Sequence, residues 1–126
     1  MGRWVGPIYS EADFEKVRVL DEQVAELHPD LKAIYDDNVN AEEGYGLVYI
    51  AMSEYTFWAT AHADSHFPVV QRMFQMLESA YRTGEEIIEE CISVMFLENL
   101  IGEPQMIALL PPSLRRQMGR ILGETR

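Results

Sequence analysis

Residues 87–101, IIEECISVMFLENLI, limit what this chain can become more than any other stretch. Glu86, Glu89, Glu90 and Ser93 recur at helical spacing as one narrow polar stripe, and from Val94 onward the residues are apolar nearly all round. A surface helix shows a single apolar face, whereas a helix apolar on most sides is enclosed by neighbours. Cys91, Ile92 and Val94 are mediocre helix formers, so burial rather than propensity must hold them. The stretch therefore predicts the central helix of an all-α bundle of about six to seven helices.

The 126 residues suffice for one domain and not comfortably for two, so 1–126 is expected to fold as a unit. Residues 1–9 read as a loosely held arm with Trp4 and Tyr9 as anchors. Apolar runs stay short of the roughly 18 residues a membrane span requires. The start, MGRWVGPIYS, has neither a continuous apolar core nor a small-residue cleavage site, so no signal peptide is expected. Gly6 stands where a myristoylation signal needs Ser or Thr. The single cysteine, Cys91, can form no internal disulfide, which fits a reducing cytoplasm.

Net charge is −11 and unevenly placed: residues 1–64 hold 13 acidic and 4 basic side chains, residues 65–126 hold 8 and 6. Nucleic-acid binding needs a basic patch that displaces counterions from phosphates, so no nucleic-acid partner is expected. Acidity at the least keeps a protein in solution. Its sharper reading is a match to a basic protein partner, which speeds encounter.

Taken in order, Ser10 reads as an N-cap with Glu11 and Asp13 in the first helical turn. Phe14, Val17, Leu20, Val24 and Leu27 then recur at spacings of three and four, predicting an amphipathic helix to His28. Pro29 ends it and opens a brief second helix on Leu31, Ile34 and Tyr35. The acidic loop DDNVNAEEGYG, residues 36–46, places Asp36, Asn38 and Asn40 as a calcium loop would. Ala41 stands where the turn glycine belongs, however, and Leu47 where the closing acid belongs. A solvated loop or partner contact is the expectation, with no metal.

Residues 47–63 carry one charge, Glu54. Val48, Ala51, Met52, Tyr55, Trp58, Ala59 and His62 keep helical spacing, while Tyr49, Ile50 and Phe57 add more apolar surface than one core contact needs. Two readings stand: a second central helix packed on both sides, or one whose Tyr49, Glu54 and aromatics reach a partner. His62 and His66 share a spacing that could pair two imidazoles, but Asp64, Ser65 and Phe67-Pro68 read as a helix stop and restart. Pro68 opens a helix on Val70, Met73, Phe74, Leu77 and Tyr81. Thr83 and Gly84 end it, with Thr83 and Glu86 a capping box for the central helix. Glu98, amid apolar neighbours, is expected to be buried against Arg72, Arg115 or backbone donors. After Pro104 a short turn leads to Pro111-Pro112. A last helix then packs Leu114, Met118, Ile121 and Leu122, leaving Arg115, Arg116 and Arg120 outside.

No serine or cysteine lies in a nucleophile motif, and the glycines are scattered rather than gathered into a phosphate loop. Cys91 among Ile88, Ile92 and Met95 would stabilise a thiolate poorly, so it reads as structural. No catalytic residue, cofactor or enzyme activity is predicted.

The segment ECISVMFLENL followed by PPSLRRQMGRIL resembles the carboxy-terminal half of small helical bacterial proteins found beside polymorphic toxin genes. In those proteins a Phe-Leu-Glu-x-Leu helix, here Phe96, Leu97, Glu98 and Leu100, precedes a short connection and a final helix, here Pro112, Leu114 and Leu122. The resemblance covers the last third to half of the chain and implies a candidate immunity protein, cytoplasmic, neutralising a cognate and basic toxin domain by stoichiometric binding. The contact is expected at Asp36, Asp37, Glu42, Glu43, Tyr45, Tyr49 and Glu54, on a chain that is monomer or homodimer when free. Two alternatives are a helical adaptor or self-associating subunit using Tyr49, Phe57 and Trp58, and a small metal-dependent enzyme built on Glu54, His62 and His66.

Overall fold

The computed structural model describes residues 9–39 and 47–124. They form seven α-helices: α1 (Glu11–Ala25), α2 (Pro29–Asn38), α3 (Val48–Ala61), α4 (Phe67–Tyr81), α5 (Glu86–Cys91), α6 (Pro104–Ile107) and α7 (Pro112–Glu124). Among the described residues there is no strand, and the chain is all-α. None of their helices is long and apolar enough to cross a membrane.

Local chemistry sets the ends of these elements. The Ser10 hydroxyl accepts from the Asp13 N–H at 3.2 Å while the Asp13 carboxylate accepts from the Ser10 N–H at 3.0 Å, a reciprocal capping box that starts α1. His28 starts α2, its Nδ1 accepting from the Asp30 N–H at 3.1 Å ahead of Pro29. Pro68 sits in the first turn of α4, and Gly84, at φ 81°, turns the chain out of that helix where a side chain would be strained. The box expected between Thr83 and Glu86 does not form. The Thr83 hydroxyl instead donates to the Ala80 carbonyl at 2.7 Å, closing α4, and Glu85 stands at the start of α5 without a side-chain cap.

The core is built where the sequence pattern places it, between α3 and residues 86–100. The latter pack on α1, α3, α4 and α7, and α3 packs on α1 and α2 as well. Tyr55, Phe74, Phe96, Met52, Leu97 and Leu100 are wholly enclosed, with Phe74 edge-on to Phe96 at 5.3 Å. Leu114, Met118 and Ile121 bring α7 onto this core, while Arg115, Arg116 and Arg120 face out.

Residues 87–101 are not the single enclosed helix their pattern predicts. After α5 the chain opens into a π-turn, Ile92–Leu97, and then tightens into a 3₁₀ turn, Glu98–Leu100. The Met95 carbonyl explains what holds this. It accepts from the Ser53 hydroxyl at 3.3 Å, the Thr56 hydroxyl at 3.3 Å and the Asn99 amide at 2.8 Å, so three side chains bond to it at the point where the regular helix is lost. Val94 and Glu98, four residues apart, face outward together across this irregular segment.

Glu98 is therefore exposed, contrary to the buried pair expected of it. Arg115 donates to the Ala108 carbonyl instead, and Arg72 lies beside Gln23 and Glu26 between α1 and α4. The carboxylate that is buried against backbone donors is Glu78, which accepts from the Ser113 N–H at 3.0 Å and the Leu114 N–H at 3.1 Å. It thereby ties α4 to the positive end of α7. A second buried acid, Asp21, has no hydrogen-bond partner on either carboxylate oxygen.

Candidate functional site

The predicted contact residues fall into three places. Asp36 and Asp37 end α2, both exposed, with Asp36 held by the Lys32 ammonium at 2.7 Å, four residues back. Asn38 folds back, its amide donating to the Ile34 carbonyl at 2.9 Å. Glu42, Glu43 and Tyr45 lie outside the described residues, as do Asn40 and Ala41 of the calcium-like pattern. Among the described residues no group of three His, Cys, Asp or Glu is placed to hold a metal ion.

Tyr49 and Glu54 are both on α3 but on different sides of it, five residues apart and so about 140° round the helix. The half-buried Tyr49 donates its hydroxyl to Glu90 at 3.0 Å, and Tyr9 donates to the same carboxylate at 3.3 Å. Phe14 lies edge-on between the two tyrosine rings, at 6.3 Å from each. Burial, then the nearby thiol and carboxylate, pushes the Tyr49 hydroxyl up, so it remains a donor. The stripe of Glu86, Glu89 and Glu90 thus does more than meet water. With Tyr81, Gln117 and Arg120 it borders a shallow polar cavity of about 400 Å³ next to the point where Tyr9 enters.

Glu54, half-buried, continues along α3 the row of the exposed Leu47, Ile50 and Phe57. These positions recur at spacings of three and four, so one face of the helix shows three large apolar groups and a carboxylate. Phe57 is 56% exposed, while Trp58, which the adaptor alternative also places at an interface, is buried. Val94, Glu98 and Ile101 form a comparable row on the π and 3₁₀ turns. That second row also keeps spacings of four and three, and the sequence reading misses it because a stretch apolar nearly all round reads as enclosed on every side.

His62 and His66 join a different cluster, at the junction of α2, α3 and α4. The Trp58 indole donates to Asp30 at 3.0 Å; His62 stacks on it at 4.6 Å, and His28 and His66 lie at 5.1 and 5.7 Å. All three histidines of the chain surround this one tryptophan. The indole N–H, then the adjacent imidazoles, holds the Asp30 carboxyl below its ordinary range. Glu54 precedes His62 by eight residues, about 12 Å along the helix, and is not part of this cluster.

These features define a small all-α protein with an irregular central segment, a half-buried aromatic–imidazole junction and an outward face of apolar and acidic groups. The chain belongs to the family described as a domain of unknown function, DUF7674, whose model matches residues 22–123. That span runs from the last turn of α1 through most of α7 and includes both outward rows. No curated protein and no solved structure matches the chain.

Proposed function

We propose that this protein is a cytoplasmic immunity protein that neutralises a bacterial toxin by stoichiometric binding, without catalysis. The observation that carries the reading is the placement of charge. No lysine or arginine occurs between Lys32 and Arg72, an interval that contains Asp36, Asp37, Glu42, Glu43, Glu54 and Asp64. A basic partner approaching this part of the chain meets acid with little competing cation, which accelerates encounter. The resemblance of the Phe96–Leu100 segment to proteins of toxin loci supplies the class of partner. Asp36, Asp37, Glu42, Glu43 and Tyr45 are the centre of the proposed contact, with Glu54 on the adjoining face; Tyr49, engaged with Glu90, supports the face from behind.

The test is a toxin domain encoded beside the gene. Co-expression is expected to rescue cells and to yield an equimolar complex. Reversing Glu42 and Glu43 to lysine is expected to slow association about tenfold and to flatten its salt dependence. Cells that die in spite of the protein, with no complex formed, would overturn the reading. The exposed Phe57 favours a second reading, a self-associating adaptor subunit, which sedimentation over a range of concentrations distinguishes.

A further inference from the structure

We infer that the outward face shared by α3 and the π-turn docks a protein segment carrying an apolar side chain flanked by lysine or arginine. This rests on the binding role proposed above and names the chemistry of its contact.

The two rows meet at one junction. The Asn99 amide donates to the Ser53 hydroxyl at 3.2 Å, and both residues are half-buried, so the seam between the elements reaches the surface there. Ile50 and Phe57 lie three residues before and four residues after Ser53, on the side of α3 turned away from the core. Val94 and Glu98 directly precede Met95 and Asn99 and are likewise turned away from the core. Both rows therefore border the seam on its outer side. Single exposed apolar residues are ordinary, but four of them, Ile50, Phe57, Val94 and Ile101, carried on the outward sides of two stretches that pack on each other, fit the kind of patch that marks an interface. Phe57 has the shape and exposure of an anchor residue.

Charge selects the occupant. Residues 33–71 and 83–114 contain no lysine or arginine, so both elements and their flanks carry acid alone. Glu54 and Glu98 stand within the patch, and neither forms an ion pair among the described residues. Two-fold pairing of two copies would set one acid-only face against another with no base between them, which disfavours a second copy. Nucleic acid is disfavoured for the same reason. A lysine or arginine answers both requirements at once, its charged head meeting Glu54 or Glu98 and its alkyl stem covering Ile50 or Val94.

The proposal can be tested without a known partner, using a phage-displayed library of random peptides panned against the full chain. Enriched peptides are expected to share an apolar residue next to Lys or Arg. Their binding should weaken about tenfold in Phe57→Ala and severalfold in Glu54→Gln/Glu98→Gln, with a shallower salt dependence in the double variant. The helical circular dichroism of each variant should match the wild type, since Phe57 and Glu98 are exposed, Glu54 is only half-buried, and none of the three belongs to the core. Enrichment of peptides without basic residues, no enrichment, or full binding by Phe57→Ala would overturn the inference. So would a wild-type dimer at micromolar concentration that Phe57→Ala dissolves. The immunity reading stands or falls on rescue from a toxin domain, so the two failures are separable.

Discussion

Asp21 and Glu78 are two carboxyl groups withdrawn from water with opposite consequences. Asp21 sits in the core near Cys91 and Tyr55, where the Tyr55 hydroxyl donates to the Asp21 backbone carbonyl and leaves the side chain unpartnered. Burial pushes its pKa well above the ordinary carboxyl value. The native state then holds a proton that the unfolded chain releases above about pH 4, so this contribution to stability falls as pH rises from there toward neutrality. Glu78 is also buried, which alone would raise its pKa, but the N–H groups of Ser113 and Leu114 outweigh burial and lower it. Its contribution is present at neutral pH and is lost as pH falls through the folded-state value. Thermal denaturation across pH is expected to show Asp21→Asn more stable than wild type at neutral pH by about 1–3 kcal/mol, with the difference shrinking toward pH 4. Glu78→Gln is expected to lose about 1.5–3 kcal/mol at neutral pH and less in acid. An Asp21→Asn variant with an unchanged pH slope would mean that the side chain finds a partner after all.

At the scale of elements, chemistry that acts between chain neighbours is legible in the sequence and contacts made across the fold are not. Ser10, Pro29, Pro68, Gly84 and Pro112 mark the ends of helices by local chemistry that acts on neighbouring residues, so those boundaries can be read along the chain. The Met95 carbonyl is satisfied by Ser53 and Thr56, some forty residues away, and no periodicity within residues 87–101 records that. For the same reason Glu98 looks buried in the sequence and is not, while Glu78, unremarked in its helix, is buried because the start of α7 returns to it. The candidate site divides likewise. Surplus apolar residues on α3 point to Ile50 and Phe57, whereas Val94 and Ile101 lie in a stretch so apolar that its outward side is not marked by polar residues. Core membership survives these shifts, because it depends on how much apolar surface an element carries rather than on its exact phase. Hydrogen exchange is therefore expected to be slowest in α3 and residues 86–100, where Ala51, Met52, Tyr55, Phe96 and Leu97 are fully enclosed. Slowest exchange confined to α1 and α2 would overturn this assignment of the core.

For the molecule as a whole, the balance between self-repulsion and ion pairing decides how salt acts on stability. Ion pairs among the described residues are mostly local and at the surface: Lys16 with Asp13 and Glu85, Arg18 with Glu15 and Glu22, Lys32 with Asp36. Exposed pairs of this kind contribute about 0–1 kcal/mol each, and salt weakens them. Against them stands a net charge of −11 on a chain of 126 residues, which repels itself most strongly when compact. Screening shortens from about 30 Å at 0.01 M to about 10 Å at 0.1 M, so moderate salt relieves repulsion across the whole molecule while contact pairs at under 4 Å lose less. Raising sodium chloride from about 0.01 M to about 0.1 M at neutral pH is thus expected to raise Tm by roughly 2–5 °C, near 1 kcal/mol for a domain of this size. A fall in Tm would mean that ion pairs outweigh repulsion. A rise means that the excess acid opposes the fold that carries it, as expected of charge that serves an encounter with a basic partner. Glu54→Gln/Glu98→Gln supplies the local check: removing two carboxylates that have no ion-pair partner among the described residues is expected to raise Tm at low salt and to change it little at high salt.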